Sequence, residues 1–319
     1  MAKQVSKREK SRRGKGRKEG RTLDFIHPRY WSTWAAIGGM YLAAWLPWRL
    51  KLWVGRAIGL TAWRFAKRRR RIAETNIRLC FPELDAAQQR QLVKDAFIAN
   101  GIGILETATG WCRNPEHLRH RVSFQGQEHM ARVQAEGKGA LIIGIHFSTL
   151  DLGGALHSLF FPADVVYRPH DNALFERFMT RARSRIFGAA IDRRDLRGLV
   201  RRIRTGHHVW YSPDQDFGRD ASVFAPFFGV EAATIKLTAK IARMTGAPVM
   251  PLIFHRNPDN RTYRLEYLPP LDAFPSSDEV ADATRINAVI EAAIRRHPEQ
   301  YLWLHRRFKT RPEGQPRIY

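Results

Sequence analysis

Between residues 140 and 268, short apolar runs alternate with amphipathic stretches, and this alternation is the tightest constraint on what the chain can become. Residues 140–145, 165–167, 189–191, 208–211, 248–254 and 263–268 read as strands. Helical patterns follow over 149–159, about 174–187, 196–204 and 234–244. Short runs that are apolar throughout suit strands covered on both faces, and their alternation with helices suits a parallel sheet sandwiched between helical layers. The expected fold class is therefore α/β, a central largely parallel sheet flanked by helices. A further helix is expected over 85–107, where Leu92, Val93, Ala96, Phe97, Ile104 and Leu105 keep helical spacing, although Gly101 and Gly103 weaken that pattern.

In open sheets of this kind reactive groups collect at the carboxyl ends of strands. The first strong strand runs into His146-Phe147-Ser148-Thr149-Leu150-Asp151. A histidine and an acid five positions apart can form a general base and its orienting carboxylate. Twelve histidines and 30 acids in 319 residues predict such a pair by chance alone, so position at a strand end carries the argument. Ser148-x-x-Asp151 also fits a helix capping box, which would leave Asp151 structural. The next strands end in Arg168-Pro169-His170-Asp171-Asn172 and at Arg193-Arg194. Arginines at equivalent strand ends suit a phosphorylated ligand, whereas any single one suits a solvated surface. A fourth strand ends in Asp214-Gln215-Asp216. That pattern fits a divalent-cation loop, a turn closed by Asp side chains, or a partner for the arginines.

The segment 31–48 carries no charge and bears Trp31, Trp34, Trp45 and Trp48 near its ends. As one helix it would span about 27 Å, just under the roughly 30 Å of a hydrocarbon core, with indoles at the interface depth they favour. A membrane-anchoring helix is expected here, against the plainer reading of a buried core helix. The end of the run has no small-residue cleavage site, which argues against a signal peptide. Both flanks are basic, through the tail on one side and Arg49, Lys51, Arg56 and residues 67–71 on the other, so full crossing and a shallow interfacial seat both stay open.

Charge completes the picture. Fifty-four Lys and Arg against 30 Asp and Glu leave +24, of which residues 1–23 hold ten basic and two acidic side chains. That tail has almost no apolar residues and is expected to be disordered. The rest remains basic, which points to an anionic lipid, an acidic protein or nucleic acid as partner. No nucleic-acid module is present, and specific nucleic-acid binding is not expected. Cys80 and Cys112 are too few for a disulfide scaffold and lack metal-ligand spacing. No metal site is expected; a metal-dependent membrane glycosyltransferase built on Asp214 and Asp216 is the more distant alternative.

Several blocks taken together resemble a known family. They are Gly144-Ile145-His146-Phe147-Ser148-Thr149-Leu150-Asp151, Tyr167-Arg168-Pro169-His170-Asp171-Asn172, Trp210-Tyr211-Ser212-Pro213-Asp214-Gln215-Asp216 and the long Glu299-Gln300-Tyr301-Leu302-Trp303-Leu304-His305-Arg306-Arg307-Phe308-Lys309-Thr310-Arg311-Pro312-Glu313-Gly314. With His27-Pro28-Arg29-Tyr30-Trp31 and Leu79-Cys80-Phe81-Pro82-Glu83, they resemble the late acyltransferases of lipid A biosynthesis, in the branch acting on lipid IVA that carries two Kdo sugars. The resemblance spans residues 24–319 and implies a glycerolipid-acyltransferase-like domain at the inner membrane, its site on the cytoplasmic side. It implies a fatty acyl chain, lauroyl first and myristoyl or palmitoleoyl as alternatives, moved from acyl-acyl carrier protein to a 3-hydroxyacyl group of Kdo-lipid IVA. It implies His146 as general base and Asp151 as its orienting acid, with no cofactor beyond the carrier-bound co-substrate. It also singles out Asp214. Arg168, Asp171, Asn172, Arg193, Asp214, Asp216, Arg306 and Arg307 are expected at the substrate. The expected organisation is a basic tail at 1–23, an anchor and basic juxtamembrane segment at 24–71, and an acyltransferase domain at 72–319.

Overall fold

A computed structural model describes residues 25–319; the basic tail expected at 1–23 lies outside them. The uncharged N-terminal run does not form one helix. It is split into α1 (Trp31–Trp45) and the start of α2 (Trp48–Phe65), with an extended Leu46 and Pro47 between them. Pro47 lacks the N–H that would continue α1, and its ring pushes Leu46 out of helical geometry. At 15 residues α1 reaches only about 22 Å. No helix among the described residues is long and apolar enough to cross a membrane. The single helix expected over 31–48 is instead two helices that lie against the body, exposing Trp31, Trp34, Leu42 and Trp45 from one and Trp53 and Phe65 from the other.

Lys51 closes the corner between these helices. Its buried ammonium donates to the Ala44 carbonyl and to Thr109 Oγ1, both at 2.8 Å, so the break costs no unpaired carbonyl at that point. Burial, helped by the charges of Arg113 and Arg121, pulls its pKa down to about 8.

Two more helices follow, α3 (Lys67–Cys80) and α4 (Ala86–Cys112). The start of α4 is a full capping box between Asp85 and Gln88. The glycines that weakened its pattern mark close approaches instead. A Cβ on Gly101 would sit 2.2 Å from the Gly55 carbonyl oxygen and 2.5 Å from the Gly59 nitrogen of α2. One on Gly103 would meet the Ser148 carbonyl oxygen at 2.3 Å. The helix therefore seats α2 on one side and the His146 loop on the other.

The sheet and its helices run β1 (Val122–Gln125), α5 (Gln127–Ala135), β2 (Leu141–Ile143), α6 (Leu150–Ser158), β3 (Asp164–Tyr167), α7 (Ala173–Ile186), β4 (Ala190–Asp192), α8 (Leu196–Arg204) and β5 (Val209–Tyr211). Then come the hairpin β6 (Ser222–Phe227) and β7 (Val230–Ile235), α9 (Leu237–Thr245), β8 (Val249–Arg256), β9 (Tyr263–Tyr267) and α10 (Glu279–Arg296). Seven strands order as β1-β9-β8-β2-β5-β3-β4, and every neighbouring pair is parallel except β8–β9. The expected largely parallel α/β sheet is what forms. The sequence patterns missed β1, α5, the β6–β7 hairpin and α10, and they placed the start of α9 three residues early. Residues 234 and 235 belong to β7, whose two-residue turn at Phe228 and Gly229 has positive φ at both positions.

Connections from β2 to β3 and from β3 to β4 step one way across the sheet, while β4 to β5 steps back. Right-handed crossovers then put α6 and α7 on one face and α8 on the other. The contacts agree: α4 packs on α6 and α7, α1 packs on α4 and α7, and α8 packs on α9.

Candidate active site

β3 and β5 pair only through Asp164–Val209 and Val165–Trp210, while β2 stays paired with β5 as far as Tyr211. Beyond Val165 the two strands part, at the place where the sheet order reverses direction and ligands usually enter. A cavity of about 550 Å³ fills the gap. Its walls are mostly apolar, from Val165 and Val166 of β3, Met179 of α7 and Phe187 just after it, Leu196 and Leu199 of α8, and Trp210. His146, Asp151, Arg168, Arg183, Arg193 and Arg194 also line it. A volume in this range suits one small or chain-like ligand.

His146 sits just after β2 in a loop clamped by the C-terminal segment. Leu302 N–H donates to the His146 carbonyl at 3.0 Å, and Ser148 N–H donates to the Gln300 carbonyl at 2.7 Å. Gln300 is fixed in turn by a reciprocal pair with the Arg256 backbone, at 2.9 and 2.8 Å. The imidazole is 22% exposed. Its Nδ1 lies 2.5 Å from Asp214 Oδ1, while the His146 backbone N–H donates to Asp214 Oδ2 at 2.9 Å. A buried carboxylate against Nδ1 requires a proton there, which leaves Nε2 as the free basic nitrogen. Burial works against a charged imidazole. The charge and hydrogen bond of Asp214, with a lesser contribution from Asp151, more than offset it and hold the His146 pKa above the ordinary histidine value. Burial likewise disfavours the Asp214 carboxylate, yet His146 holds its pKa below the ordinary range.

The acid beside Nδ1 was expected to be Asp151, and the structure corrects this. Asp151 lies on the first turn of α6 and accepts hydrogen bonds from Trp111 Nε1 at 3.2 Å and Thr107 Oγ1 at 3.4 Å, both of α4. The Arg183 guanidinium stands 3.6 Å away. The capping box fails too: the N-cap of α6 is Thr149 without a side-chain cap bond, and Ser148 Oγ is buried with no hydrogen-bond partner among the described residues. Asp151 lines the cavity, but only Asp214, buried behind the ring, is bonded to it. Spacing along the chain could not show this, because the bond joins the ends of two different strands.

Arg183 went unnoticed in the sequence. It is one of several arginines on α7, and only the helical spacing from the buried Met179 sets it apart. It lies across the Trp111 and Tyr167 rings and is 15% exposed. Arg168 and Arg193 line the cavity. Asp171 is exposed and pairs loosely with Arg168 at 3.6 Å. The remaining expected contacts are used elsewhere. Asn172 caps α7 by accepting from Leu174 and Phe175 N–H, and its amide donates to Thr33. Asp216 accepts from the Thr310 and Gly218 backbones, closing the Asp214 loop onto the C-terminal segment. Arg307 is buried beneath the hairpin, donating to the Ala233 carbonyl and Thr234 Oγ1. Arg306 lies over the Tyr319 ring and does not line the cavity.

Residues 18–310 match the family described as bacterial lipid A biosynthesis acyltransferase. The chain is similar to the lipid A biosynthesis lauroyltransferase of Escherichia coli (strain K12), 42% identical over 92% of this chain and 96% of that protein. It is also similar to the lipid A biosynthesis palmitoleoyltransferase of the same strain, 40% identical over 93% and 97%. Among solved structures, the 1-acyl-sn-glycerophosphate acyltransferase PlsC of Thermotoga maritima matches at a TM-score of 0.37 and 14% identity, over 72% of this chain and 97% of that one.

Proposed function

This chain belongs to the bacterial lipid A biosynthesis acyltransferases, and from that premise we propose that it moves a fatty acyl chain, lauroyl first, from acyl-acyl carrier protein to a 3-hydroxyacyl group of Kdo-lipid IVA. The single observation that supports this chemistry is the His146–Asp214 pair set at an apolar cavity ringed by arginines. The cavity offers its apolar walls to the acyl chain, and Arg168 and Arg193 offer donors to phosphate or carboxylate on the acceptor.

In the proposed reaction His146 Nε2 takes the proton of the acceptor hydroxyl as its oxygen bonds to the thioester carbonyl carbon. Asp214 holds the tautomer and stabilises the imidazolium that forms. Leu150 N–H on the first turn of α6 already donates to the Phe147 carbonyl at 3.0 Å, which leaves the Asp151 and Leu152 N–H groups of that turn to suit the tetrahedral oxyanion. Collapse breaks the C–S bond, and the imidazolium returns its proton to the leaving thiolate. Asp151 acts at one remove, its charge shared between His146 and Arg183. Myristoyl and palmitoleoyl donors remain alternatives within the same family.

The exposed indoles of α1 and α2, with Arg49, Arg56 and Arg64 beside them, suit a seat on an anionic bilayer at the cytoplasmic face of the inner membrane. The test is enzyme in detergent with Kdo-lipid IVA and lauroyl-acyl carrier protein, read by mass spectrometry. A product heavier by one lauroyl group is expected, with His146→Ala slowed about 10²- to 10⁴-fold. Full activity in that variant would remove His146 from the chemistry, and no product with any of the three donors would remove the carrier-bound donor.

A further inference from the structure

The outer side of α8 is a ridge of arginine. Arg193 and Arg194 precede the helix at the cavity wall, and Arg197 and Arg201 continue from Arg193 at intervals of four. Arg197 and Arg201, both on the helix, stand about 6 Å apart along its axis. All four side chains are exposed, and Arg193, Arg197 and Arg201 have no ion-pair partner among the described residues. The neighbouring acids are already engaged: Asp192 holds Arg194 at 2.6 Å, and Asp195 caps the helix through Gly198 N–H at 2.9 Å. Like charges four apart on a helix repel one another. The ridge thus carries a cost within this chain that an acidic partner would relieve.

Resting on the carrier-bound donor of the preceding section, we propose that the outer face of α8 is the docking surface for the acidic carrier protein that presents the acyl thioester. The ridge begins where Arg193, Arg194 and Leu196 line the cavity, so a carrier seated on it delivers its prosthetic arm into the opening. A row of exposed charges running from a turn onto a helix matches carboxylates spaced along a partner's helix better than a compact phosphate, which needs convergent donors. Its side of the fold also fits. The crossovers put α8 on the sheet face opposite α6 and α7, the layer on which α1 packs with its exposed indoles. The lipid acceptor approaches with the indole-bearing layer, and a water-soluble carrier has the other face free. Exposed charges of this kind act through steering and encounter, and salt screens them.

The experiment is steady-state kinetics of the full chain with lauroyl-acyl carrier protein at low and high salt. It compares wild type with Arg197→Glu/Arg201→Glu and with the milder Arg197→Gln/Arg201→Gln. The expected result is a KM for the carrier raised about tenfold or more by the Glu pair and less by the Gln pair. The kcat and the KM for Kdo-lipid IVA stay unchanged, and the salt dependence of the wild type is flattened. A carrier KM unchanged in both pairs overturns the proposal, as does a rise confined to the KM for Kdo-lipid IVA, which would assign the ridge to the acceptor. A wild type that uses lauroyl-coenzyme A but not lauroyl-acyl carrier protein overturns the donor reading itself. An active wild type with unaffected variants overturns only the docking surface.

Discussion

Asp214 bonds both the ring and the backbone N–H of His146, so it fixes the position of the imidazole as well as its proton. A base must be neutral to accept a proton, and the raised pKa of His146 delays that state. Activity should therefore climb with pH through a midpoint above the ordinary histidine value of about 6.5 and fall away as pH drops below it. Asp214→Asn removes the largest influence that raises this pKa, leaving burial to lower it. Its pH–rate midpoint should move to lower pH while the plateau falls about 10²- to 10⁴-fold. Asp151→Asn should move the midpoint the same way by a smaller amount. A pH–kcat/KM series on the three proteins checks the order; equal midpoints would show that neither carboxylate tunes the ring. His146 and Asp151 stand out in the chain because they are close in sequence. The Asp214 bond was not legible there, and nor was Arg183, because each depends on which strand ends and which helix face meet.

Close backbone approach governs how the N-terminal elements join the rest. Gly101 of α4 meets Gly55 and Gly59 of α2, and no side chain fits between them. Gly101→Ala should cost about 1–3 kcal/mol, because backbone on both helices must shift. Gly38, on α1, has open space where its Cβ would be, and Gly38→Ala should stabilise by about 0.5–1 kcal/mol through helix propensity. Thermal melts of the two variants should move in opposite directions; a Gly101→Ala protein as stable as wild type would mean that the helices can part freely. The same contacts explain how the sequence misleads. Strands such as β8, buried along its whole length, are legible as continuous apolar runs. Gly101 and Gly103 lower helix propensity locally, and only the neighbouring elements show why they are there. β1 and the β6–β7 hairpin escaped because their residues are partly exposed and mixed in character, so neither periodicity dominates.

Across the whole molecule the two surfaces differ in kind. Trp31, Trp45 and Trp53 are each more than 60% exposed, an unusual display for large aromatics in water. With basic residues among them, this surface should bind vesicles containing anionic lipid, and Trp45→Glu/Trp53→Glu should weaken that binding about tenfold or more. Cosedimentation with such vesicles checks it, and undiminished binding would place the membrane contact elsewhere. The alternation of apolar runs by itself determined an α/β sheet with chemistry at its strand ends, because periodicity and local propensity are written in neighbouring residues. The motif blocks placed the chain among lipid A acyltransferases for the same reason. Only the tertiary structure decided that the uncharged run bends at Pro47, that Asp214 holds His146, and that Arg307 and Asp216 brace the fold. Those outcomes depend on which surfaces meet, and burial and hydrogen-bond partners across distant segments are set only when the sheet closes.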